Sequence, residues 1–127
     1  MKNKLQDSEI KVMNVIWAEQ PVSASRVSEI LKGQIGWNVN TTYTLIKRCI
    51  DKGAVERTDP GFVCTALVSR EEIQQEETET LIDKIFDGSA DKLFAALLGS
   101  KKLSRTEIDK LKELIDEADE TSVVKEG

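Results

Sequence analysis

Apolar residues return at helical spacing from the start of the chain. Ile10, Val12, Met13, Ile16 and Trp17 share one side of a segment from Ser8 to Ala18, which predicts an amphipathic first helix with Asp7 or Ser8 as its N-cap and Pro21 beyond its end. Ser23 then caps a second helix, SASRVSEILKG, whose Val27, Ile30 and Leu31 form the apolar stripe and whose Gly33 is placed to terminate it. Residues 34–37 make a short connection. Asn38 caps a third helix that runs to Lys52 and is followed by Gly53.

The third helix is unusual in composition. Its opening, WNVNTTYT, is built from middling or poor helix formers, so the side chains must contribute something other than propensity. With successive residues about 100° apart, Thr42, Leu45, Ile46, Cys49 and Ile50 fall on one face as a core stripe. The opposite arc carries Asn40, Thr41, Tyr43, Thr44, Lys47, Arg48 and Asp51. Short polar side chains at the start of a helix can reach base edges, and Lys and Arg further along can hold phosphates, so this arc suits duplex DNA. An ordinary solvated face would be richer in Glu, Lys and Gln.

After Gly53 the period changes. AVERT and FVCTAL read as two short strands joined by a turn at DPG, and a helix-turn-helix followed by a hairpin makes a winged helix. Arg57, with Thr58 near the hairpin tip, is positioned to touch a phosphate beside the groove; a merely solvated hairpin arginine is the alternative.

From Ser69 onward the pattern is helical and acidic, with Ser69 and Glu72 at the spacing of a capping box. Apolar positions recur at Ile73, Leu81, Ile82, Ile85 and Phe86, at Leu93, Phe94, Leu97 and Leu98, and at Ile108, Leu111, Leu114, Ile115 and Ala118, with Gly88 and Gly99 as punctuation. Helices this long, with so little chain to cover them, cannot bury their stripes alone and are expected to meet a second copy in a two-fold dimer. Folding back on the N-terminal half is the alternative. The expected fold is mainly α with a small β-hairpin wing: a winged helix-turn-helix DNA-binding domain over 1–70, a helical dimerisation domain over 71–120 and a flexible tail, TSVVKEG, over 121–127.

Composition narrows the function. Among 127 residues, 39% hydrophobic and 32% charged content describe a soluble globular protein, and no run approaches the roughly 18 apolar residues of a membrane span. The N-terminus has no apolar core behind its charges and so is not a signal peptide, which points to the cytoplasm. The net charge of −5 conceals a division: residues 1–70 hold ten Lys or Arg against seven Asp or Glu, whereas the remainder holds eight against sixteen. One half suits a polyanion and the other avoids it. There is no histidine, so the commonest general base is missing and triad or zinc hydrolases drop out. Cys49 and Cys64 lack CxxC spacing and read as buried thiols, with a redox sensor as the alternative. No catalytic residue, cofactor or metal site is expected.

VMNVIW at 12–17, WNVNTTYTLIKR at 37–48, TALVSREE at 65–72, DGSADKLFAALL at 87–98 and LSRTEIDKLKELIDE at 103–117 occur in an order that resembles the penicillinase-repressor family, the BlaI/MecI/CopY group of bacterial transcriptional repressors. The similarity spans about Ser8 to Glu120. It implies a homodimeric repressor whose third helix enters the major groove of a palindromic operator, whose hairpin is the wing and whose C-terminal helices form the dimer. Leu81, Ile85, Phe86, Leu93, Phe94, Leu97, Leu111, Leu114 and Ile115 are then the dimerisation residues. Thr41 and Tyr43 fall where the family reads bases, with Thr44, Lys47 and Arg48 alongside; Tyr43 stands where related repressors can have arginine, which puts the preferred operator sequence in doubt. Some members are released by a membrane sensor protease that cuts an Asn-Phe bond. The pair at that place here is Ala96 and Leu97, a departure from the cleaved sequence. Copper-responsive members end in a CxC tail that this chain lacks. The rival class is a winged-helix protein-interaction module without DNA binding.

Overall fold

The structure, a computed structural model, describes residues 4–120; the tail at 121–127 lies outside them. In chain order the elements are α1 (Asp7–Glu19), β1 (Val22–Ser23), α2 (Ala24–Ile35), α3 (Val39–Asp51), β2 (Val55–Thr58), β3 (Val63–Ala66), α4 (Arg70–Ile85), α5 (Ala90–Gly99) and α6 (Arg105–Glu120). It is a mainly helical fold with a three-stranded antiparallel sheet in the order β1-β3-β2. The chain divides into two compact units inside α4, between Glu77 and Thr78.

The N-terminal unit has one core. Val12, Met13 and Ile16 of α1, Val27 and Leu31 of α2, and Leu45, Ile46 and Cys49 of α3 pack with Val55 and Cys64 of the sheet, all buried. The helical stripes therefore face inward as their periodicity predicts. At the edge of this core, Trp17 donates its indole N–H to the Val68 carbonyl at 2.9 Å, fastening α1 to the segment that leads into α4.

Three boundaries differ from the sequence expectation, each for a local reason. The N-cap of α1 is Gln6 rather than Asp7 or Ser8: the Gln6 N–H donates to Glu9 Oε1 at 2.8 Å, which closes the first turn one residue earlier. Ser23 does cap α2, its hydroxyl accepting from the Arg26 N–H at 3.1 Å. That helix passes through Gly33 and stops at Gly36, whose φ of +75° gives the left-handed end that Gly33, in helical conformation, does not. β1 was not foreseen, because two residues carry no period. Val22 and Ser23 pair with Cys64 and Val63, making β3 the central strand between β1 and β2.

Thr42 is the one polar residue of α3 in the core. It is fully buried, and its Oγ1 has no hydrogen-bond partner. A buried hydroxyl without a partner costs stability, whereas valine has nearly the same shape and no such cost. Thr42→Val is expected to stabilise the protein by about 1 kcal/mol, measured by denaturant unfolding; a lower midpoint would show that the hydroxyl is satisfied.

The C-terminal unit has a different character. Its helices are well terminated: the Ser104 hydroxyl and the Glu107 carboxylate exchange hydrogen bonds with each other's N–H groups at 3.1 and 3.0 Å. The Ser69–Glu72 capping box at the start of α4, in the N-terminal unit, closes in the same way. Yet of the residues described after Ile73, none is buried. Leu81, Ile85, Phe94, Leu98, Leu114 and Ile115 are exposed, while Phe86, Leu93, Leu97 and Leu111 are half-buried. Ala96 is exposed beside Leu97, inside the continuous helix α5.

Candidate nucleic-acid interface

The geometry of α3 follows from its two ends. Gly36 ends α2 in a left-handed turn, Trp37 is half-buried against the core, and Asn38 begins α3 with its side-chain oxygen accepting from the Thr41 N–H at 2.8 Å. With Thr42, Leu45, Ile46 and Cys49 locked into the core, the opposite arc has no freedom to rotate inward.

Asn40, Thr41, Thr44, Lys47 and Arg48 are all exposed along that arc. A shallow groove runs beside its N-terminal half, lined by Ser8, Trp37, Asn38, Asn40, Thr41, Thr44, Leu45 and Arg48. Among the described residues, neither Lys47 nor Arg48 forms an ion pair, in contrast to Lys52, whose ammonium lies 2.6 Å from Glu9. Two cations without an ion-pair partner among the described residues follow a row of short hydrogen-bonding side chains, an arrangement suited to phosphate holding beside base reading.

Tyr43 is placed differently from the rest of the arc. It is half-buried, and its ring meets that of Phe62 edge-on, with centroids 5.7 Å apart and planes at 88°. Helical phase puts Tyr43 at the flank of the polar arc, and the hairpin then reaches it; periodicity within one helix contains no signal for that contact. Arg57 lies on the hairpin, exposed, with its guanidinium 3.7 Å over the Phe62 ring and its Nε 3.1 Å from an Asp59 carboxylate oxygen. The ion pair engages Nε and leaves the terminal nitrogens for an outside acceptor.

Two residues of this region escaped the sequence reading. Val39, 52% exposed at the first position of α3, offers an apolar surface next to Asn40, of the kind that contacts a thymine methyl group. Only its place before the polar run could have marked it. Glu9 is 1% exposed, although an acidic residue in a first helical turn normally faces water. Its carboxylate accepts from the Gln6 N–H and from Lys52 Nζ, and that ammonium also donates to the Lys4 carbonyl at 2.9 Å. The pair ties the start of α1 to the C-terminal end of α3. Burial alone would raise the Glu9 pKa, but the Gln6 N–H and the Lys52 ammonium, with Arg48 nearby, hold it below the ordinary carboxylate value.

Both cysteines are fully buried. Burial, aided by the neighbouring Glu9 charge, pushes the Cys49 thiol up to about 12, and burial raises Cys64 as well. A sensor thiol needs the reverse, exposure and a depressed pKa.

The profile of the penicillinase repressor family matches residues 5–117. The chain belongs to this family. The penicillinase repressor of Bacillus licheniformis is 25% identical to this family member over 116 residues, covering 90% of this chain and 91% of that one. The penicillinase repressor of Staphylococcus aureus is 22% identical over 112 residues, 87% and 89% of the two chains. In structure, the DNA-binding domain of the repressor BlaI superposes with a TM-score of 0.52 at 30% identity, covering 57% of this chain and 93% of that domain. The family is one of regulators, and this member is a regulator rather than an enzyme. Among its described residues no helix is long and apolar enough to cross a membrane.

Proposed function

We propose that this chain is a transcriptional repressor that binds duplex DNA as a homodimer, laying α3 in the major groove and the β2–β3 hairpin against the adjacent backbone. The observation that carries this reading is the exposed arc of α3, in which Asn40, Thr41 and Thr44 precede the unpaired cations Lys47 and Arg48 over a rigidly buried opposite face. Asn40, Thr41 and Thr44 read base edges, Tyr43 contributes from the flank, and Lys47, Arg48 and Arg57 hold phosphates. The family and the likeness to a repressor's DNA-binding domain support it.

Dimerisation is supported by the exposed leucine, isoleucine and phenylalanine side chains of α4, α5 and α6, which a lone chain leaves in water. A two-fold pair presents two α3 helices, so the operator is an inverted repeat with half-sites about one helical turn apart or a small multiple of that. Ala96 and Leu97 lie within a helix and do not reproduce the Asn-Phe bond, so release by a sensor protease cutting there is the weaker route.

The test is a competition gel shift on a duplex selected from a random pool. Lys47→Ala should weaken all duplexes alike and lower the slope of log affinity against log salt by about 2, one phosphate contact per protomer. Thr41→Ala should cost roughly 1–3 kcal/mol on the selected sequence and little on others. Unchanged sequence preference in Thr41→Ala would move the reading face elsewhere, and salt-independent binding or none at all would favour a protein-interaction module.

A further inference from the structure

Phe62 sits where three elements meet, in a conformation that burial alone does not account for. Its φ is +48°, in the left-handed region that side chains avoid, although Gly61 stands immediately before it. The residue is only half-buried, so the strain is not repaid by deep packing. Every group of Phe62 is nevertheless engaged. Its carbonyl accepts from the Ala24 N–H, the first residue of α2, at 2.9 Å. Its N–H donates to Asp59 Oδ1 at 3.2 Å, the same carboxylate that holds Arg57 Nε. Its ring presents one face to the Arg57 guanidinium and receives the edge contact from Tyr43 of α3.

Resting on the DNA-binding reading, we infer that Phe62 is a positioning residue for operator binding: it fixes the hairpin arginine relative to α3, so that a phosphate contact by Arg57 and base contacts by α3 are made together. An arginine on a free hairpin tip would have to be ordered on each encounter, and that ordering opposes binding. Here the guanidinium is sandwiched in place before DNA arrives, by a face contact below and a carboxylate at Nε, with its outer nitrogens left over. Tyr43 is the mechanical link, since its backbone belongs to α3 and its ring abuts Phe62. The strained backbone turns the ring inward to where Tyr43 and Arg57 can both meet it.

The experiment uses the full chain and a duplex that the parent protein selects from a random pool. Phe62→Gly removes the ring while accepting the left-handed backbone, and Phe62→Leu keeps apolar bulk without an aromatic face. Phe62→Tyr keeps the ring. Both ring-less variants should lose roughly tenfold in affinity and about 2 in salt slope, one phosphate contact per protomer, matching Arg57→Ala. Combining Phe62→Gly with Arg57→Ala should add little to either, and Phe62→Tyr should behave as the parent. A merely structural role would leave the salt slope untouched. Parental slopes in both ring-less variants, or independent losses that multiply in the double variant, overturn the positioning role while leaving DNA binding intact. If the parent chain selects no duplex at all, the DNA-binding reading falls and this one with it.

Discussion

Replacing Leu114 and Ile115 together with glutamate is expected to turn the protein into a monomer in sedimentation equilibrium and to lower its affinity for the selected operator by at least about 100-fold. Leu114 and Ile115 are 51% and 60% exposed on α6, in a series with Leu111 and Ala118 that keeps one side of the helix apolar. Covering such side chains is worth about 1.5–3 kcal/mol each, and a carboxylate in their place must instead be stripped of water if the face is to close. The loss in DNA affinity follows from geometry. In the proposed complex each half-site engages one α3 helix, and the second engagement is cheap only when the first has already brought it close. The same substitution should leave the N-terminal core intact, because none of its buried side chains belongs to α6. A variant that stays dimeric would show that this face is not the one that pairs.

The second large effect is on stability. Glu9→Ala is expected to cost about 2–3 kcal/mol, and about 4–8 °C of melting temperature for each of those, by leaving Lys52 without its carboxylate. The cost falls short of the roughly 3–5 kcal/mol of a fully buried broken pair because the Lys52 side chain is 17% exposed and can turn toward water. The sign of the pH dependence is fixed by the depressed Glu9 pKa. Above the ordinary carboxylate value of about 4.3 the ionised side chain contributes its full stabilisation. As pH falls through the lower folded value the carboxylate takes up a proton and the contribution is lost. The stability gap between the parent and Glu9→Gln should therefore be constant near neutrality and close below about pH 4. A gap that does not begin to narrow as the pH is lowered through and below the ordinary carboxylate range, followed by urea unfolding, would assign the effect to packing rather than charge.

What could be read from the chain alone was what repeats within a single element. The phase of Thr42, Leu45, Ile46 and Cys49 separates the buried side of α3 from its polar side, and Asn38 and Ser23 announce the helix starts by their own hydrogen-bonding chemistry. The turn between the strands was legible because proline and glycine interrupt the alternation. Features created by distant residues were not. Glu9 looks like a first-turn carboxylate facing water, and only the arrival of Lys52 from the end of α3 makes it a buried partner. Tyr43 belongs to the polar arc by phase and to the hairpin by contact, and β1 exists only because β3 lies beside it. Gly33 and Gly36 are equivalent in composition; the difference is which one takes the left-handed turn, and Gly36, with its φ of +75°, does so.

The thiols behind α3 have a consequence for how this regulator meets its surroundings. With burial pushing the Cys49 thiol up to about 12, the reactive sulfur anion is disfavoured at neutral pH, and the sulfur itself is shut away from solvent. Peroxide and other thiol-directed reagents therefore find no accessible sulfur on the buried side of α3.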